Sequence, residues 1–183
     1  KATGIPEKRV KEVFENLMKR GMIFKSRSRT TGTEYYALLP MIPGLFEAYF
    51  ADRRVPESDK AEASKWFEHL YSDGWCHEIG ASNYPWARVI PVDKSFSPQI
   101  EVLPYEKVSE YINKAHSLGV MNCACRTHVK NCDKPIEVCM TFDKFADWTV
   151  ESGIGRHIDK SEAEKILAMT EKKGLVHTTN NSQ

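Results

Sequence analysis

The stretch PEKRVKEVFENLMKRGMIFKSRSRTTGTEYYALL, residues 6–39, carries the clearest local pattern in the chain. Pro6 suits a first helical position, where its fixed φ is pre-organised and its missing N–H leaves no bond unmade. Val10, Val13, Phe14, Leu17 and Met18 then recur at the spacing of one helical face. A helix is therefore predicted over 6–20, stopped by Gly21 in the left-handed conformation. Met22–Ser26 and Glu34–Leu39 follow as two β-prone runs around a polar tip, Arg27–Thr33, which is a hairpin pattern.

A helix running straight into a hairpin is the back half of a winged helix. Lys8, Arg9, Lys11, Arg20, Lys25, Arg27 and Arg29 are candidates to meet phosphates in such a unit. Glu7, Glu12 and Glu15 lie among them and dilute the field that backbone binding requires. The leading expectation is a packing module, with nucleic acid not the partner.

Working outward, residues 40–55 are an expected irregular connector of Pro, Gly and aromatics, with Phe46, Tyr49 and Phe50 either core or a docking patch. Residues 57–72 resume helical spacing through Ala63, Trp66, Phe67, Leu70 and Tyr71, with Gly74 as a cap. From Gly80 to Gln99 an extended bridge is expected around the β-prone piece Arg88–Val92. The second half is expected to be mostly helical. One helix runs from Pro104 to Ser117 with Gly119 beyond its end, another over 142–152, and a last one starts at Asp159 and Glu162 and ends at Gly174.

The 183 residues contain 26 Lys+Arg and 25 Asp+Glu, a net charge of +1 that gives no bulk attraction to nucleic acid or acidic membranes. At 41% hydrophobic and 10% aromatic, the composition supports a buried core and argues against disorder. The longest apolar stretch, Tyr35 to Phe50, is interrupted by Pro40, Pro43, Gly44 and Glu47, so no membrane insertion is expected. No signal peptide opens the sequence and a cytoplasmic location is expected. Lys1 stands where an initiator Met would, so the chain is expected to be part of something longer.

The chemistry concentrates in Cys123-Ala-Cys125-Arg-Thr-His-Val-Lys-Asn-Cys132-Asp-Lys-Pro-Ile-Glu-Val-Cys139. Four thiolates complete the ligand set of a [4Fe–4S] cluster, one per iron. Four cysteines also suit tetrahedral zinc, so ligand type alone leaves both open. The gaps between ligands are one, six and six residues. Structural zinc usually takes two similar short hooks, whereas this spacing favours a loop wrapped around a bulkier group. Four thiolates on a cluster leave excess negative charge, which Arg126, Lys130 and Lys134 would offset. Arg126 and Lys130 would also rim a docking surface for an acidic partner, with Cys139 packed inward and the Cys123 side exposed. Cys76 is expected to be a small buried hydrophobe. His77 and His128 are expected to be structural, and Glu137 and Asp147 carry no assigned catalysis. No catalytic triad, phosphate loop or dinucleotide fingerprint is present.

Val102-Leu-Pro-Tyr-Glu106, the cysteine string, Ala146-Asp147, Gly153-Ile-Gly-Arg156 and Gly174-Leu-Val-His177 stand together. The set resembles the winged-helix, iron–sulfur-binding ferredoxin-type proteins of anaerobic bacteria and archaea. The resemblance implies electron transfer beside a larger oxidoreductase or electron-transfer subunit in anaerobic metabolism, without an intrinsic catalytic site. Many relatives continue into a two-cluster module with Cys-x-x-Cys repeats, which this sequence lacks. The expected fold is α+β and mainly helical. Residues 1–55 form a partial winged-helix module and connector, and residues 56–183 a helical domain around a cysteine-ligated cluster loop. Two alternatives remain: a cluster-sensing winged-helix DNA-binding regulator and a zinc-stabilised interaction module.

Overall fold

The computed structural model describes residues 4–81, 83, 87–90 and 107–180. The Val102–Glu106 string and the start of the helix expected from Pro104 lie outside the described residues.

Helix α1 spans Glu7–Lys19, with Pro6 as its cap residue rather than its first turn. Its end is a paired closure. Gly21 N–H donates to Met18 O at 2.8 Å and Met22 N–H to Leu17 O at 3.0 Å, satisfying carbonyls the helix leaves orphaned. Gly21 has φ 67°, and a Cβ there would stand 3.0 Å from Ile154 Cδ1 and 3.2 Å from Ala48 Cβ. Strands β1 (Ile23–Arg27) and β2 (Glu34–Leu38) pair antiparallel, from Ile23↔Leu38 to Arg27↔Glu34. The helix–hairpin pattern of the sequence is therefore present.

An ion-pair network ties the hairpin to α1. Glu34 meets Arg27 at 2.7 Å, Lys11 at 3.3 Å and Lys25 at 3.7 Å, while Lys25 also reaches Glu15 at 3.0 Å. Hydrogen bonding from Arg27 first, and Lys11 second, holds the Glu34 carboxyl at about 2 against an ordinary 4.5. Burial and the hydrogen bond to Glu15 push Tyr36 up to about 12. Because the folded pKa of Glu34 is depressed, its contribution to stability is present above pH 4.5 and is lost as pH falls toward about 2. Acid titration followed by circular dichroism should show this loss, and Glu34→Gln should flatten the curve within that window. An unchanged curve would mean that the network contributes nothing.

The connector expected over 40–55 is instead largely a core helix, α2 (Phe46–Ala51), in which Phe46, Phe50 and Ala51 are buried. The aromatics are core, not a docking patch. Prolines and a glycine just ahead of the helix, together with its six-residue length, hid it from periodicity. Helix α3 (Glu57–Leu70) forms as expected, but only Ala63 and Phe67 of its apolar set pack inward, against α2. Trp66, Leu70 and Tyr71 are exposed. A kink at Gly74 leads into α4 (Cys76–Ala81).

Strand β3 (Ala87–Val89), which overlaps the start of the β-prone piece at Arg88 and Val89, pairs with β7 (Thr178–Asn180), which lacked a strand signal in the sequence. Helix α5 (Val108–Lys114) buries Val108 and Ile112. The largest departure follows. Leu118–Asn122 is a strand, β4, at the centre of a three-stranded antiparallel sheet between β5 (Glu137–Phe142) and β6 (Gly155–His157). The expected helical surround of the cysteines thus contains a sheet, and Gly119 is no helix stop but a central strand residue. A Cβ on Gly119 would lie 2.6 Å from Thr141 Oγ1, so only glycine lets β5 approach this closely. Between β4 and β5 lies α6 (Ala124–Val129). Helix α7 (Asp143–Glu151) follows β5, and α8 (Lys160–Lys172) is capped as predicted, with Glu162 N–H donating to Asp159 Oδ1 at 2.7 Å.

Strand β4 is buried on both faces. On one side Val108, Ile112, Leu118, Val120, Val138, Ile166 and Leu167 form a core shared with α5 and α8. On the other, Met121, Trp148 and Ile154 pack against Met18, Ile23, Leu39, Ala48 and Ala51. The helix–hairpin and the cysteine-bearing sheet therefore share one apolar core. Its centre is Trp148, 1% exposed, whose Nε1–H donates to Ile23 O at 2.9 Å.

Candidate functional site

Cys123 follows the end of β4, where an irregularity in register separates Met121 from Asn122. Its N–H donates to Ile136 O at 2.7 Å, and its carbonyl accepts from Thr127 N–H at 3.0 Å and Thr127 Oγ1–H at 2.9 Å. Cys123 thus caps α6, and Cys125 lies in the first turn of that helix. Lys130 closes α6 with φ 53°, and Arg126 Nη1–H ties it to Pro135 O at 2.6 Å. Cys139 stands on β5 opposite Met121.

This geometry brings together three of the four predicted cysteines. The Cys123 sulfur interacts with the thiols of both Cys125 and Cys139. Hydrogen bonds from Cys125 first, then Cys139, drive its pKa far below the ordinary thiol range, helped by the Arg126 N–H and side chain. The same contacts with Cys123, followed by burial, push Cys125 and Cys139 far up. Glu47 on α2, itself pushed up by burial, adds to the rise at Cys125.

Cys132 is exposed, on the irregular segment between α6 and β5. Among the described residues no set of three or more His, Cys, Asp or Glu side chains is arranged to hold a metal ion, and this includes Cys123, Cys125 and Cys139. The exposure expected for the Cys123–Lys130 side holds at Cys125 and Lys130 and fails at Cys123, which is buried because it follows the central strand, while Cys139, on an edge strand, is half-buried. Cys76 is half-buried rather than buried.

Lys130 Nζ pairs with Glu57 at 2.6 Å at the surface, with both side chains more than half exposed, and Arg126 donates to Pro135 O. Glu137 is clamped by Arg53 and by Arg156 at 3.3 Å, with Arg53 also donating to Asn122 at 3.2 Å. Burial raises its carboxyl pKa, but Arg156 and Arg53 outweigh this and hold it low. No sequence spacing links 53, 137 and 156, so this clasp beside the thiols was not foreseeable.

His128 has both ring nitrogens occupied, by Ser64 Oγ and Glu68 Oε1 at 2.9 Å each, and meets Phe46 and Phe50 edge-on at 5.4 and 5.0 Å. It is a structural histidine. His128→Ala is expected to cost about 1–3 kcal/mol through the lost packing and the partners left unpaired, while cysteine-bound iron stays unchanged. Chemical denaturation and metal analysis separate the two, and iron loss from a folded variant would make His128 a ligand.

The donor set is sulfur-rich and has the Arg126 guanidinium beside it. That chemistry fits a soft, thiolate-ligated metal group. The phosphate-facing candidates of the hairpin are neutralised, since Lys11, Lys25, Arg27 and Arg29 all meet carboxylates. No helix among the described residues is long and apolar enough to cross a membrane. No protein-family model, curated protein or solved structure matches this chain.

Proposed function

We propose that this protein is an electron-transfer protein or subunit that carries one [4Fe–4S] cluster on Cys123, Cys125, Cys132 and Cys139. It exchanges electrons with a larger oxidoreductase of anaerobic metabolism. The observation that supports this reading is the four-cysteine string from Cys123 to Cys139, in which the fold puts Cys123 in side-chain contact with Cys125 and Cys139. When bound, such a cluster supplies a reversible one-electron couple. Cys123, Cys125, Cys132 and Cys139 would bind as thiolates, each thiol giving up its proton on ligation. Arg126 offsets part of the negative charge, and Cys132 supplies the fourth sulfur. The DNA-regulator alternative draws less support, because the hairpin cations are paired within the chain.

Anaerobic incubation with ferrous iron and sulfide, followed by metal analysis and low-temperature paramagnetic spectra before and after dithionite, tests the reading. The expected result is about four iron and four sulfide per chain and a signal that appears on reduction. Binding of a single zinc without sulfide or redox response would select the interaction module instead.

A further inference from the structure

We infer that the clasp formed by Arg53, Glu137 and Arg156 positions the cysteine site: it holds β5 in the bulged register that sets Cys139 beside Cys123. Its service to a bound ligand rests on the cluster reading above, whereas its hold on the two thiols requires no metal.

Strands β4 and β5 pair regularly from Leu118↔Phe142 to Met121↔Cys139, and the register then shifts so that Asn122 faces Glu137. Val138 is the residue left over. It is buried in the same core as Cys123, and the Cys123 N–H donates to Ile136 O at 2.7 Å. The side chains of Cys123 and Cys139 touch in this arrangement. Without the shift, Asn122 would face Val138, and Glu137 would stand opposite Cys123 on the face that carries Met121 and Cys139. A carboxylate would then compete for the apolar space beside the thiol, at a desolvation cost. Bulges next to functional sites re-aim side chains in this way.

The clasp acts on the rung that selects between the two registers. Arg53, in the turn after α2, donates to Glu137 and to Asn122 Oδ1 at 3.2 Å, so one guanidinium ties both residues of that rung. Arg156 on β6 brings Nε and Nη2 to Glu137, each at 3.3 Å, and also pairs with Glu162 on α8 at 2.7 Å. Arg53 is 61% and Arg156 46% exposed, so these pairs add little to global stability. Their effect is local. Strand β4 ends at Asn122 and β5 begins at Glu137, and ladder ends are the first parts of a sheet to open.

Amide exchange and thiol labelling of the full chain, both read by mass spectrometry, test this. In the reduced, metal-free wild type, exposed Cys125 should react with iodoacetamide quickly and buried Cys123 slowly. Glu137→Ala should speed Cys123 labelling and Cys123 amide exchange by about tenfold, the local opening expected from losing a charge-assisted hydrogen bond. The Cys125 rate and the melting curve should not move. Glu137→Gln keeps an acceptor for Arg53 and should recover most of the protection. Arg53→Ala removes the same tie from the other partner and serves if the first variant misfolds. Unchanged Cys123 rates in both alanine variants, acceleration only in step with a lowered melting temperature, or no recovery in Glu137→Gln would each overturn the proposal. None of these readouts needs a metal, so a wild type that takes up no iron would sink the cluster, while the clasp stands or falls on the rates.

Discussion

Cys123→Ser is expected to abolish cluster incorporation and also to lower the stability of the metal-free fold by about 1–3 kcal/mol. Cys123 is 7% exposed and packs in the core shared by β4, α5 and α8. Serine there replaces a small apolar group with a hydroxyl that needs a partner. It also removes the sulfur that the Cys125 and Cys139 side chains contact. Cys125→Ser and Cys132→Ser act at exposed positions, so they should lose iron with little change in metal-free stability. Cys76→Ser should leave iron content intact. Iron and sulfide analysis of each variant, paired with urea unfolding after metal removal, gives the two readouts separately. Full iron content in Cys123→Ser would exclude it as a ligand, and an unchanged urea midpoint would remove its structural role.

Trp148→Ala is the second large effect, expected to cost about 3–5 kcal/mol. Its ring is fully enclosed between the sheet and the helix–hairpin, and its Nε1–H satisfies Ile23 O within the first strand. Trp148→Phe keeps most of the packing but loses that bond, and should cost about 1–2 kcal/mol. Because Met18, Ile23 and Ala48 meet Met121 and Ile154 around this side chain, the hairpin and the sheet should lose protection together. Native-state hydrogen exchange distinguishes this from independent units. Retained protection in 7–38 with loss in 118–157 would show that the shared core does not couple them.

Elements with a complete local signal were legible in the sequence. For α1 these were a proline, an apolar stripe and a terminal glycine; for α8, an aspartate cap; and for the first hairpin, two β-prone runs around a polar tip. Each is determined by contacts within a few residues, which spacing reports directly. The candidate cysteines were legible for the same reason, since thiols crowded into 17 residues are a chemical statement before any fold exists. Strand β4 was not legible: Leu118–Met121 is buried on both faces, so it has no alternation to betray it. Helix α2 was too short for a helical period, and β7 acquires its strand only by pairing with β3. The apolar stripe of α1 shows the converse limit, because the sequence marks the face but Val13 and Phe14 remain exposed.

Tertiary structure alone decided how the cysteines differ. In the sequence they are four equivalent ligands, and Cys139 was expected inside with Cys123 outside. The fold reverses that order, because Cys123 follows a strand hydrogen-bonded on both sides while Cys139 lies at the sheet edge. The same placement puts Cys123 beside the Cys125 and Cys139 thiols and Arg126, which lowers its pKa. Tertiary structure likewise tied Arg126 to Pro135 O and paired Lys130 with Glu57 at the surface. Residue type set the available chemistry; burial and neighbours that are distant in the sequence set the surroundings of each thiol.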